Sequence, residues 1–87
     1  AAPAAGGLAV EFVFSADSWI DVRDASGARL AYELGRSGTT RSVRGEPPLT
    51  VFLGYADGVD VRVDGTPWSV PARVRRGNTA RFTLEAP

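Results

Sequence analysis

The sequence predicts an all-β domain, a small antiparallel β-sandwich of about seven to eight short strands with no long helix. Three observations support this prediction. Apolar and polar residues alternate with a period of two through most of the chain, as strands with one buried face require. Turn-forming residues recur roughly every 8–12 positions, which is typical of small sandwiches of immunoglobulin-like type. No window carries the i, i+3, i+4, i+7 apolar stripe of an amphipathic helix.

Six segments carry the alternation. In residues 59–63 the valines at 59, 61 and 63 share one face, with Asp60 and Arg62 on the other. In residues 28–34 the pattern predicts an apolar face of Leu30, Tyr32 and Leu34. The six segments, in chain order, are LAVEFVF (8–14), SWIDVRD (18–24), ARLAYEL (28–34), LTVFLG (49–54), VDVRV (59–63) and TARFTL (79–84).

Turn residues separate these segments. DASG at 24–27 predicts a type I turn with Gly27 in the left-handed region. Asp64-Gly65 predicts a type I′ hairpin turn, which needs a positive φ at both central residues. The prolines at 47 and 48 cannot donate to a ladder, so they precede a strand. The prolines at 67 and 71 flank WSV and predict a short edge strand there.

The chain of 87 residues is long enough for one domain, which we place at residues 8–87. Residues 1–7, AAPAAGG, cannot bury enough apolar surface to order themselves, so they predict the end of a linker. The first residue is not Met, and we expect a fragment of a longer protein, which leaves room for a membrane anchor upstream. Within this chain, no stretch approaches the roughly 20 apolar residues that cross a bilayer.

The composition disfavours several classes of function. Ten arginines balance ten acidic residues, so the net charge is zero and no nucleic-acid partner is predicted. The absence of Cys, His and Met argues against thiol and imidazole catalysis, zinc sites and haem ligation. Asp57 and Asp64 occupy turn positions that favour Asp for backbone hydrogen bonds, and Asp60 faces away from the valine stripe. We therefore predict a non-enzymatic domain without cofactor or metal.

Six residues are candidates for contact with a partner. Trp19 lies on the outward side of its strand with Asp21 and Arg23, and we expect neighbours to cover half of it, with Arg23 near its ring. Trp68 is either a cap over the open end of the core or a ligand platform. Tyr55 is either an exposed contact or a lid on the core. One predicted loop, ARVRRG, is either simply solvated or a docking patch for acidic protein surface or phosphate headgroups. Its candidates are Arg73, Arg75 and Arg76.

Three segments, in this order, resemble the C-terminal periplasmic domain family of RodZ cell-shape proteins. They are SADSWIDVRDASGARL (15–30), GEPPLTVFLGYADGVDVRVDGTP (45–67) and ARFTL (80–84). The matching residues are Ser18, Trp19, Asp21, Val22, Asp24 and Gly27, then Gly45, Pro47, Pro48, Gly54, Ala56, Gly58 and Val59, then the Asp64-Gly65 turn. The chain departs from the family at Tyr55, where Asn is frequent. The resemblance covers about residues 8–84.

The resemblance implies a single-pass inner-membrane protein, with this domain in the periplasm after a Pro/Ala-rich linker. It also implies a cytoplasmic helix-turn-helix domain that contacts the actin-like MreB filament. The implied work of the present domain is contact with cell-wall elongation proteins, coupling the filament to peptidoglycan synthesis, and no catalytic residue carries over. The alternative hypothesis is a glycan- or peptidoglycan-binding module that uses exposed aromatics such as Trp19, Trp68 and Tyr55. That alternative would lose its support if both tryptophans were buried.

Overall fold

The computed structural model describes residues 7–85, and these form nine strands in two antiparallel sheets. The strands are β1 (Leu8–Phe14), β2 (Ser18–Arg23), β3 (Arg29–Gly35), β4 (Thr40–Gly45), β5 (Leu49–Leu53), β6 (Val59–Val63), β7 (Thr66–Trp68), β8 (Arg75–Arg76) and β9 (Thr79–Leu84). One sheet has the order β4–β1–β6–β7 and the other the order β3–β2–β5–β9–β8. The predicted all-β sandwich is confirmed, with nine strands where about seven to eight were predicted. Residues 1–6, most of the predicted linker, lie outside the described residues.

One hydrophobic core fills the space between the inner faces of the two sheets. β1 pairs with β4 on one side and with β6 on the other, and its alternate residues are buried as predicted, with Phe12 0% exposed. From the opposite sheet, Ile20, Val51 and Leu53 are also fully buried. Burial of a side chain of this size stabilises the fold by roughly 1.5–3 kcal/mol. The strands that supply the most core residues are therefore the central ones of each sheet.

β3 faces the opposite way from the sequence prediction. Its buried residues are Ala31 and Gly35, whereas Tyr32 and Leu34 are exposed and Leu30 is only partly buried. The large apolar side chains of this strand therefore lie on the outer face of the five-stranded sheet, and the small residues face the core. The predicted apolar face of Leu30, Tyr32 and Leu34 is wrong.

A β-bulge explains this orientation. Val22 pairs with Ala31, but the next residue of β2, Arg23, pairs with Arg29, so Leu30 is an extra residue in β3. Successive side chains of a strand point to opposite faces, and one extra residue therefore moves the following residues to the other face. Because Val22 is fully buried, its partner Ala31 points into the core as well.

The sequence pattern does not predict β4 or β8. β4 carries a single buried apolar side chain, Val43, and it is held by its pairing with β1 along the edge of the sheet. β8 pairs with the start of β9, and a 3₁₀ helix, Ala72–Val74, precedes it. The prediction of one loop for the three arginines is therefore wrong, because Arg73 lies in the 3₁₀ helix and the other two in a strand. The short edge strand near Trp68 is confirmed as β7, although it covers Thr66–Trp68.

Both predicted hairpin turns are present. Asp64 and Gly65 have φ of 51° and 84°, as a type I′ turn requires, and the Asp64 carboxylate accepts a hydrogen bond from the Ala9 N–H at 3.1 Å. In the other turn Gly27 has φ of 87° and its N–H donates to the Asp24 carbonyl at 3.0 Å. The Asp24 carboxylate also accepts hydrogen bonds from the N–H groups of Ser26 and Ala28. These bonds fix the β2–β3 connection.

Helical structure between residues 7 and 85 is limited to two 3₁₀ helices of three residues each, Ala56–Gly58 and Ala72–Val74. Within this part of the chain, neither is long or apolar enough to cross a membrane. The prediction of no long helix is confirmed for the described residues.

Candidate interaction surface

The outer face of the five-stranded sheet carries an apolar patch formed by Trp19, Tyr32 and Leu34. Trp19 on β2 pairs with Leu34 on β3, and Tyr32 lies two residues away on β3, opposite Asp21. The three side chains are 38%, 52% and 45% exposed. Large apolar side chains scattered singly over a surface are ordinary, but three that adjoin on one sheet face indicate a binding surface.

Contacts between the rings fix the patch. The Trp19 and Tyr32 ring centroids lie 4.8 Å apart at an interplanar angle of 88°, an edge-to-face arrangement that favours the ring quadrupoles. The Arg29 guanidinium lies over the Tyr32 ring, 4.0 Å from its centroid. The sequence predicts Arg23 near the Trp19 ring. In the structure Trp19 contacts Tyr32, and the arginine that stacks on this aromatic pair is Arg29, which lies over Tyr32.

Asp21 holds the arginines beside the patch. Its Oδ1 lies 3.6 Å from Nε of Arg23 and 3.7 Å from Nε of Arg29. This oxygen is buried and has no hydrogen bond within residues 7–85, so its interaction with the two cations is electrostatic at these distances. The carboxylate therefore positions Arg29 over Tyr32 while it leaves a surplus of positive charge on this face.

Gly54 leaves one flank of Trp19 uncovered. Its N–H donates to the Trp19 carbonyl at 2.8 Å, and a Cβ at this position would lie 3.1 Å from the Trp19 Cβ. The adjoining Tyr55 is anchored through its N–H, which donates to the buried Ser18 hydroxyl at 3.0 Å. Any larger residue at position 54 would have to share the outer face with the Trp19 side chain.

Arginines lie at the other end of the same face. Across the sheet, Asp21 pairs with Phe52 on β5, and Phe52 pairs with Arg81 on β9. The Arg81 guanidinium lies 5.2 Å from the Phe52 ring centroid. Beside them is a depression of about 360 Å³, which we call the arginine depression. Its lining residues are Phe52, Arg73, Val74, Arg76, Thr79 and Arg81.

The structure does not bring the six predicted interaction residues together. Trp19 belongs to the apolar patch, and Arg73 and Arg76 belong to the arginine depression. Arg75 turns away from both arginines and forms an ion pair with Asp57. Tyr55 is 37% exposed and precedes the 3₁₀ helix Ala56–Gly58.

Trp68 caps the core, as one of the two predicted alternatives stated. It lies on edge strand β7, is partly buried against the core, and packs on Phe82 with ring centroids 4.7 Å apart at 30°. A sugar-binding platform needs coplanar rings on one open face. Trp68 and Trp19 belong to different sheets, and the Trp19 and Tyr32 rings are perpendicular, so these aromatics do not form such a platform.

The sequence pattern does not single out five residues of this surface, namely Tyr32, Leu34, Phe52, Arg29 and Arg81. The period-two pattern places Tyr32 and Leu34 in the core because alternation alone contains no sign of the bulge. The signal that could have revealed them is the small residues between them and beside them, Ala31 and Gly35, which suit a crowded inner face. Phe52 and Arg81 become neighbours only through strand pairing, which the pattern does not encode.

Several carboxylates support turns of the fold, those of Asp24 and Asp64 by accepting backbone hydrogen bonds. Hydrogen bonds, from the Ser26 hydroxyl most of all and then from backbone N–H groups of the turn, lower the pKa of the exposed Asp24 carboxyl from its ordinary value of 3.8. Residues 7–85 contain no group of three acidic side chains placed to hold a metal ion. The geometry on this face is that of a binding surface.

Comparison with known proteins identifies the family. No solved structure was found to match the chain. A family model described as the RodZ C-terminal domain matches residues 11–83, which include the apolar patch and the arginine depression. The chain therefore belongs to the RodZ C-terminal domain family, a family of structural and interaction domains in RodZ-type cell-shape proteins.

Proposed function

We propose that this chain is the periplasmic protein-interaction domain of a membrane-anchored cell-shape protein, and that it couples the MreB cytoskeleton to the peptidoglycan elongation machinery. Membership of the RodZ C-terminal domain family supports the cell-shape role. The observation that carries the interaction role is the apolar patch, in which Trp19, Tyr32 and Leu34 are exposed together on one sheet face.

Charge indicates the chemistry of the partner. Arg23 and Arg29 have a single carboxylate within 4.0 Å between them, that of Asp21, so neither has a carboxylate of its own at that distance. Arg81 adds a further cation on the same face. An acidic surface with apolar side chains at its centre complements this arrangement, because such a partner buries the patch and meets the arginines with carboxylates.

Photo-crosslinking in cells tests this proposal. A photo-reactive residue at Leu34 in the full-length protein, expressed in its own host, should capture cell-wall elongation proteins, identified by mass spectrometry. The matched control is the same residue at Ser42, which is exposed on β4 of the other sheet. Equal capture from the two positions, or no capture from Leu34, would contradict the proposed surface.

The glycan-binding alternative receives no support from the ring geometry described above. It makes a different prediction, since muropeptides would shift the NMR signals of the Trp19 and Tyr32 rings at concentrations that leave Ser42 unchanged. Such shifts, together with an absence of protein crosslinks from Leu34, would replace the proposed function with carbohydrate recognition.

A further inference from the structure

The arginine depression has no acidic side chain in its lining, whereas the neighbouring depression that Arg81 and Phe52 also line contains Asp21 and Asp24. Arg73, Arg76 and Arg81 line the arginine depression, and none has a carboxylate within 4.0 Å among residues 7–85. By contrast, the arginines at 23, 29, 41, 62 and 75 each lie within that distance of an Asp or Glu. Three arginines that line one depression with no carboxylate in that lining favour an anion from outside the domain.

A second depression provides the contrast. It lies by edge strand β7 and holds about 460 Å³. Asp57 and Asp60 line it together with Arg62 and Arg75, so its charges balance. The arginine depression, at about 360 Å³, is of similar size but carries three positive charges and no negative one. Size alone therefore does not distinguish the two, and charge does.

Regular structure positions the three arginines. Arg81 lies on β9 opposite Phe52, and Arg76 lies on β8 opposite Thr79. The Thr79 hydroxyl donates to the Arg76 carbonyl at 2.9 Å, which ties the two short strands together at their turn. Arg73 precedes Val74, whose side chain packs against the core and anchors the 3₁₀ helix. The backbone that carries these arginines is therefore fixed by strand pairing at Arg76 and Arg81 and by the packing of Val74 next to Arg73.

The arginine depression and the apolar patch lie on the same sheet face, and the strand register gives the distance between them. Tyr32, Asp21, Phe52 and Arg81 are register neighbours on four adjacent strands. Neighbouring strands are about 4.8 Å apart, so three spacings place Tyr32 about 14 Å from Arg81. An extended peptide advances about 3.3 Å per residue, and about four residues cover that distance.

We infer that the arginine depression is a carboxylate-binding subsite for an acidic segment of a partner protein whose apolar residues sit on the Trp19–Tyr32–Leu34 patch. This inference rests on the proposed function, because the patch supplies the anchor. It adds a specificity rule, namely a carboxylate about four residues from an apolar anchor. Arginine suits that ligand since its planar fork binds both oxygens of a carboxylate.

Two synthetic peptides test the inference with the 87-residue chain. LWSGSEE has an apolar anchor and two carboxylates at the inferred spacing, and LWSGSQQ is its uncharged match. Calorimetric titration should show LWSGSEE binding about tenfold more tightly. Arg73→Gln combined with Arg76→Gln should remove that advantage without changing the affinity for LWSGSQQ. The control is Arg44→Gln, an exposed arginine on β4 that likewise has no carboxylate within 4.0 Å among the described residues, and it should change neither affinity.

The outcomes separate the inference from the proposed function. Equal binding of the two peptides, abolished by Trp19→Ala, would overturn the carboxylate subsite and support the patch. Arginine-dependent binding that survives Trp19→Ala would support the subsite and contradict the patch as its anchor. Displacement of LWSGSEE by 5 mM inorganic phosphate, with equal shifts of the arginine Nε–H signals, would reassign the subsite to phosphate groups. Circular dichroism of each variant checks that the fold is retained.

Discussion

The outer face of the four-stranded sheet carries Glu11 paired with Arg62 at 3.9 Å, together with the exposed polar residues of β4. The outer face of the five-stranded sheet carries Trp19, Tyr32 and Leu34 and ends in three arginines that have no carboxylate within 4.0 Å among residues 7–85. Both faces cover the same core, so packing demands do not account for their difference. Exposed apolar area and uncompensated charge concentrated on one face of a small sandwich mark that face for a partner.

The largest effect should come from the core that both faces share. Phe12→Ala removes a fully buried ring, and we expect the free energy of unfolding to fall by about 3–5 kcal/mol. Urea denaturation followed by Trp fluorescence measures this change. Val13→Ala, one residue along the same strand but on the outer side, should change stability by less than about 1 kcal/mol. Similar losses for the two variants would mean that the faces of β1 are not distinguished as described.

The next largest effect should separate the two outer faces directly. Trp19→Ala should weaken binding of LWSGSEE by about 30-fold, corresponding to the roughly 2 kcal/mol typical of a central aromatic anchor. Val13→Ser, on the outer face of the other sheet, should leave that affinity unchanged. Calorimetric titration of the folded variants measures both. Loss of binding in the Val13 variant alone would place the peptide on the four-stranded sheet and contradict the assignment of the five-stranded sheet as the binding face.

A smaller effect should distinguish the ion pairs of the two faces. Asp21→Asn leaves Arg23 and Arg29 without their shared carboxylate, and we expect a loss of about 1 kcal/mol in unfolding free energy. Glu11→Gln should lie within about 0.5 kcal/mol of the parent, since its pair with Arg62 is long and exposed. Chemical denaturation at low and high salt measures both. Equal losses of unfolding free energy in the two variants would show that Asp21 stabilises the fold no more than an exposed ion pair does.

The smallest effect concerns the turn that joins β2 to β3. The folded-state pKa of Asp24 lies below 3.8, so its carboxylate contributes stability above the unfolded pKa, and that contribution is lost as the pH falls through the folded pKa. Carbon-13 NMR titration of the carboxyl should therefore give a midpoint below 3.8. Ser26→Ala removes the strongest hydrogen bond to this carboxylate and should move the midpoint upward. An unchanged midpoint in that variant would contradict the assigned cause.

The sequence predicts most of the core because one strong signal, period-two alternation, reports burial directly. Leu8, Val10, Phe12 and Phe14 illustrate this, and so does the Asp64-Gly65 turn, whose two positive φ values are a local requirement. β4 could not be predicted, because its formation depends on β1 as a pairing partner and Val43 is its only buried apolar residue.

Much less of the candidate surface could be predicted. Trp19 is recognisable because its strand neighbours are charged, and Arg73 and Arg76 because they are close in sequence. Arg81 joins them only through the pairing of β9 with β5 and β8, a long-range arrangement that no local pattern contains.

The bulge makes the length of β3 matter more on one side of Ala31 than on the other. Deletion of Leu30 would remove the bulge but leave Arg29 opposite Arg23 and Ala31 opposite Val22, so Tyr32 and Leu34 would stay on the outer face. One residue inserted between Ala31 and Tyr32 would instead shift every following residue of the strand to the other face and drive Tyr32 against the core. A change of one residue in length can thus rewrite the binding surface while every other residue stays the same.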